Sequence, residues 1–127
     1  MAAKNILVVP TDFSERSLTA LAWVRKMAEA MQADIRCIYV VEEPQIYSTL
    51  DMGPVAIPSV TELVKSAEEH LDSFIKTNIK AFGSAPKASV LVGRPAEEIV
   101  SYARDNDATM IVMTTHGYSG VKHLLLG

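Results

Sequence analysis

The chain is 127 residues long, 49% apolar and 21% charged, with a formal net charge of −3, the composition of one soluble globular domain. Lysines and arginines are scattered rather than striped, which excludes the footprint of a duplex-binding protein, so no nucleic-acid partner is expected. The single cysteine, Cys37, excludes an intrachain disulfide and a cysteine-cluster metal site.

No stretch approaches the roughly 20 apolar residues of a membrane span, and Met1-Ala-Ala-Lys-Asn5 carries no leader-like pattern. A cytoplasmic protein in a reducing compartment, with no membrane partner, is therefore expected.

Ile6-Leu-Val-Val9 is short, β-branched and stopped by Pro10, as a buried strand would be. After Asp12, Ser14 stands where it can cap a helix in which Ala20, Val24, Met27 and Met31 recur at helical spacing, beside Leu21 and Ala28. Residues 35–41 predict a second strand. Residues 42–58, with Pro44, Gly53, Pro54 and Pro58, predict a long loop.

Ser59-Val-Thr-Glu62 is a capping box. The apolar stripe behind it (Val60, Leu63, Val64, Ala67, Leu71, Phe74, Ile75, Ile79, Phe82) predicts one helix ending at Gly83. Residues 88–92 predict a third strand. Pro95 then opens a helix with Ile99, Val100 and Ala103 on its buried side, and Asn106 and Asp107 end it. Residues 109–113 predict a fourth strand, followed by Thr114-Thr-His-Gly-Tyr-Ser-Gly120 and a helix starting at Val121.

Alternating helices and near-continuous apolar strands predict an α/β fold: a doubly wound parallel sheet, Rossmann-like, in three α/β/α layers. Ligands of such sheets bind at the carboxyl ends of strands where the winding reverses. That directs attention to the turns after the first and fourth strands. In the latter, Gly117 and Gly120 before a helix suit close approach of phosphate to backbone N–H groups, though a plain tight turn explains them equally well. Asp12 can meet ribose hydroxyls or a cation, and as readily caps a helix; Pro10 and Thr11 can shape the wall beside it. His116 suits a phosphate donor better than a metal ligand, because no third ligand is suitably spaced. His70 is expected to face solvent, Arg94 to be an exposed surface residue, and Cys37 to lie in the core.

Pro10-Thr-Asp-Phe-Ser14, Val92-Gly-Arg-Pro95 and Met113-Thr-Thr-His-Gly-Tyr-Ser-Gly-Val-Lys-His-Leu-Leu-Leu-Gly127 together resemble the universal stress protein family, in order and spacing along the whole chain. The resemblance implies a single domain over residues 1–127 of the adenine nucleotide alpha hydrolase-like kind. It implies a stress-response or signalling module that binds an adenine nucleotide, ATP with or without Mg, rather than an enzyme. In nucleotide-binding members the pattern is glycine, two residues, glycine, nine residues, glycine, then Ser or Thr. Gly117 matches the second glycine and Gly127 the third. The resemblance thus implies Asp12 on the ribose, backbone near Val40 on the adenine, and Met113, Thr114, His116 and Gly117 with Gly127 around the phosphates. Gly120 falls inside the nine-residue spacer.

Thr114 stands where the family has its first glycine, and the sequence stops at Gly127, where the family continues with Ser or Thr, more helix and a fifth strand. Without that strand, residues 109–113 are expected to present an unpaired apolar edge and to favour a homodimer or higher oligomer. Two other functions stay open: a dimeric stress module that binds no nucleotide, and a slow ATP hydrolase. For the latter no G-x-S-x-G elbow or P-loop is present.

Overall fold

A computed structural model of the chain describes residues 4–42, 59–83, 86–114 and 124–126. Its elements are β1 (Asn5–Pro10), α1 (Glu15–Met31), β2 (Ala33–Val41), α2 (Val60–Thr77), a short α3 (Ile79–Phe82), β3 (Lys87–Val92), α4 (Pro95–Asp105), β4 (Met110–Thr114) and β5 (Leu124–Leu126). The sheet order is β3-β2-β1-β4-β5. The first four strands are parallel, and β5 is antiparallel to β4. The chain therefore winds outward from β1 to β3, then crosses back to lay β4 on the other side of β1. The fold is α/β, with helices on both faces of the sheet.

Strand periodicity divides the core between those faces. Leu7, Val9, Ile35 and Cys37 point toward α1, α2 and α3, where Leu21, Val24, Leu71, Ile75 and Phe82 meet them. Val8 and Ile38 point the opposite way and pack on Ile99 of α4. Burying an aliphatic side chain of this kind contributes roughly 1.5–3 kcal/mol, so both faces hold the sheet between helices. None of the helices among the described residues is long and apolar enough to cross a membrane.

The helix signals operate as local chemistry predicts at their starts. Ser14 caps α1 by accepting from Ser17 N–H, Ser59 caps α2 by accepting from Glu62 N–H, and Pro95 opens α4. The long second helix, however, is not continuous to Phe82. It breaks at Asn78, whose side-chain Nδ2 donates to the Phe74 carbonyl at 2.8 Å, while its backbone N–H is shared between the Phe74 and Ile75 carbonyls. An asparagine that bonds the backbone four residues back competes with the helix ladder. Asn106 repeats the device at the end of α4, donating to the Tyr102 carbonyl at 2.8 Å and accepting from Arg36 at 2.9 Å. The predicted apolar stripe is correspondingly too wide, because Val60 and Ile79 are exposed, as is Val100 on α4.

The predicted open edge on β4 is corrected. Met113 and Thr114 pair with Leu125 and Leu124, so Leu124–Leu126 is strand and not the continuation of a helix. Three leucines favour helix locally, but the N–H and C=O groups of β4 need partners, and pairing outweighs that preference. The premise from which oligomerisation was expected is thereby removed. Most of the predicted loop (residues 43–58) and the predicted helix start at Val121 lie outside the described residues.

Candidate functional site

The parallel strands do not end level. Pro10, the last residue of β1, is in register with Ile38, whereas β2 continues beside β3 as far as Val41 opposite Val92. Thr11 N–H donates to the Ile38 carbonyl at 2.9 Å, which fixes the β1-facing side of β2. The two-residue period of a strand then directs the N–H and C=O of Val40 to that same side, past the end of β1. On the opposite side, Gly93 N–H donates to the Val41 carbonyl at 2.9 Å. Gly93 has φ +144°, a backbone region that favours glycine, and a Cβ there would stand 2.9 Å from Glu98 Cγ.

Above this overhang lies a cavity of about 550 Å³, within the usual range for small-molecule sites. Pro10, Thr11 and Asp12 form one wall, and residues 38–42 form the floor. Pro95 and Ile99 of α4, Met113 of β4, Ser17 of α1 and Leu63 of α2 complete it. It sits at the carboxyl ends of β1, β2 and β4, where the winding direction reverses. Asp12 and Glu42 are the charged side chains among its described lining residues. The rest of the lining is neutral and mostly apolar.

The turn carrying Asp12 is held by its own hydrogen bonds. Asp12 Oδ1 accepts from Ser14 N–H at 2.9 Å and from the Ser14 hydroxyl. Thr11 Oγ1 accepts from Phe13 N–H at 3.0 Å and donates to Ser17 Oγ at 3.1 Å, and that hydroxyl donates to the Ser14 carbonyl at 2.7 Å. Asp12 is not the cap of α1, which is Ser14; its carboxylate braces that cap residue and also lines the cavity. The nearby hydroxyls are engaged in the turn.

Phe13, at the centre of that turn, has φ +66°, a conformation that costs a bulky residue roughly 1–3 kcal/mol. Its ring lies between Tyr39 (centroids 4.7 Å apart, planes at 24°) and His70 of α2 (4.4 Å, 7°), with Phe74 edge-on at 5.5 Å. Each such pair contributes about 0.5–1.5 kcal/mol beyond simple burial, so together they offset the backbone cost. His70 is exposed, as expected, but it also covers Phe13. Arg94 is exposed and faces Glu97 at 3.6 Å. Cys37 is fully buried, and burial pushes its thiol from 9.0 up to about 12.

Of the residues singled out in the sequence, Pro10, Thr11, Asp12, Val40 and Met113 all line the cavity. Thr114 ends β4, and His116, Gly117, Gly120 and Gly127 lie outside the described residues. Sequence reasoning missed Tyr39, Glu42, Leu63, Pro95 and Ile99 as lining residues. Ile99 and Leu63 read as core stripe, and Pro95 as a helix start. Only the packing of α2 and α4 over the sheet end brings these residues to one space.

A model of the universal stress protein family matches residues 4–127. Universal stress protein MJ0531 of Methanocaldococcus jannaschii is 31% identical over 121 residues, covering 95% of this chain and 70% of that protein. Among solved structures, a universal stress protein family member from Burkholderia pseudomallei superposes with a TM-score of 0.66 at 26% identity, covering 88% of this chain and 82% of that one. The universal stress protein of Archaeoglobus fulgidus in complex with dAMP shares the fold, with a TM-score of 0.59, 21% identity, and coverage of 89% and 82%.

Proposed function

Because this chain belongs to the universal stress protein family, we propose that its cavity binds an adenine nucleotide, ATP with or without Mg²⁺, and that the protein acts as a binding module rather than an enzyme. The observation that carries the reading is the overhang of β2. The N–H and C=O of Val40 face the cavity as one donor and one acceptor, the complement of the N1 and N6 edge of adenine. The apolar floor and the side chains of Met113 and Ile99 suit the faces of a base, and Asp12 stands where a carboxylate can accept from ribose hydroxyls. The dAMP bound by the Archaeoglobus neighbour is consistent with this choice of base.

The phosphates would extend past Thr114 toward the stretch that carries His116, Gly117 and Gly120, with Gly127 contributing as the family pattern implies. Two carboxylates on the described wall repel a bare polyphosphate, which favours a metal-complexed triphosphate over the free one. Turnover is not part of the reading: the Thr11 and Ser17 hydroxyls are engaged within the turn, and the Ser14 hydroxyl that donates to Asp12 is the cap of α1.

Calorimetric titration of the purified chain with ATP and GTP tests the proposal. ATP should bind and GTP should not, since the guanine edge reverses the donor and acceptor that Val40 requires. Asp12→Ala should weaken ATP by about tenfold or more, the loss of a charge-assisted hydrogen bond. No binding of ATP, and no nucleotide released on denaturing the purified protein, would leave the non-nucleotide dimeric module as the better reading. Phosphate release from ATP abolished in Asp12→Ala would favour the hydrolase.

A further inference from the structure

We propose that His70 is a positioning residue for nucleotide binding: by clamping the Phe13 ring against Tyr39, it holds the Asp12 carboxylate where it meets the ribose. The inference rests on the adenine-nucleotide reading above and concerns how that site is set.

Phe13 follows Asp12 directly and carries the left-handed backbone of the turn. Its φ therefore sets where Ser14, whose N–H and hydroxyl hold the Asp12 carboxylate, lies relative to Asp12. Local hydrogen bonds link residues 11, 12, 13, 14 and 17 to one another, with the Asp12 carboxylate accepting from Ser14. The ring stacks tie the turn to elements distant in sequence: Tyr39 on the floor of the cavity and His70 on α2.

The His70 ring lies almost parallel to that of Phe13, at 7° and 4.4 Å. An exposed side chain held in one orientation gives up rotamer freedom, and here it does so against the one residue of the turn whose backbone is unfavourable. A second cavity of about 280 Å³ lies beside the stack, lined by Phe13, Tyr39 and His70 with Leu63, Ser66 and Ala67. Phe13 thus has room to leave its position once His70 no longer covers it. Tyr39, Val41 and Leu63 line both cavities, so Tyr39 separates the space that holds the ligand from the space into which the Phe13 ring would move.

The test compares wild type, His70→Ala, His70→Phe and Phe13→Gly, each titrated calorimetrically with ATP and with 2′,3′-dideoxy-ATP, and each unfolded in urea. Phe13→Gly keeps a residue at ease with positive φ but removes the ring. For ATP, His70→Ala and Phe13→Gly should lose roughly threefold to tenfold in affinity, the worth of the ring contacts, and His70→Phe should restore wild-type binding. For dideoxy-ATP, which offers Asp12 no ribose hydroxyl, all four proteins should agree within about twofold.

The inference is overturned if His70→Ala binds ATP as wild type does, or if the loss is equal for the two ligands. Failure of His70→Phe to restore binding while its urea midpoint is unchanged also overturns it. Absence of ATP binding in the wild type overturns the nucleotide reading and this inference with it, whereas wild-type binding with an unchanged His70→Ala overturns this inference alone.

Discussion

Raising the pH from 8 to 10 should destabilise this protein through one buried thiol. Cys37 is fully buried between the sheet and its helices, and burial alone raises its pKa from 9.0 to about 12. The unfolded chain releases the Cys37 proton near pH 9, whereas the folded chain retains it to about pH 12. Between those values the folded state binds more protons than the unfolded state, so stability falls as pH rises. The contribution is fully present below pH 9 and lost progressively toward pH 12. From the two pKa values, the loss between pH 8 and pH 10 is roughly 1.3 kcal/mol, close to a tenfold change in the folding equilibrium.

To isolate the thiol, the measurement is a double difference: urea unfolding of wild type and of Cys37→Ala, each at pH 8 and pH 10. Wild type should lose about 1.3 kcal/mol more than Cys37→Ala over that interval. Equal losses in the two proteins would refute the reasoning, because a thiol that ionises in the folded state as easily as in the unfolded one contributes no such slope.

Replacing Gly93 with alanine should cost about 1–3 kcal/mol in urea unfolding, chiefly from backbone strain at φ +144°; the Glu98 side chain that a Cβ would meet can move aside. Ser14→Ala removes the cap of α1 and should lower stability by about 0.5–2 kcal/mol. It should also weaken ATP in the calorimeter, since Ser14 braces Asp12. Lys4→Met breaks an ion pair with Asp34 whose side chains are 71% and 52% exposed, and its thermal midpoint should correspond to a change below about 1 kcal/mol.

Much of the fold is legible because its signals are local. The caps at Ser14 and Ser59, the proline opening α4, and the short β-branched strands all act through residues within a turn or two of each other. The sequence likewise points to Pro10, Thr11 and Asp12, because a doubly wound sheet presents its strand ends to ligands, and the family resemblance adds Val40 and Met113. Asn78 is less legible: a polar residue in an apolar stripe reads as a tolerated position until its side chain is seen bonding the Phe74 carbonyl.

The last strand was misjudged for a different reason. Leu124, Leu125 and Leu126 have no local property that marks them as strand. Their conformation depends on β4, whose edge offers partners that a local window does not contain.

The sequence by itself determines an α/β chain with a polar turn after its first strand, since periodicity and turn chemistry are properties of neighbouring residues, while its motifs carry the resemblance to the universal stress protein family. Tertiary structure alone decides the step between the ends of β1 and β2 that turns the Val40 backbone toward a cavity. It alone brings Leu63, Pro95 and Ile99 to that cavity and lays His70 on Phe13. These are relations between segments far apart in the chain, set by how helices pack on the sheet, and no local pattern encodes them.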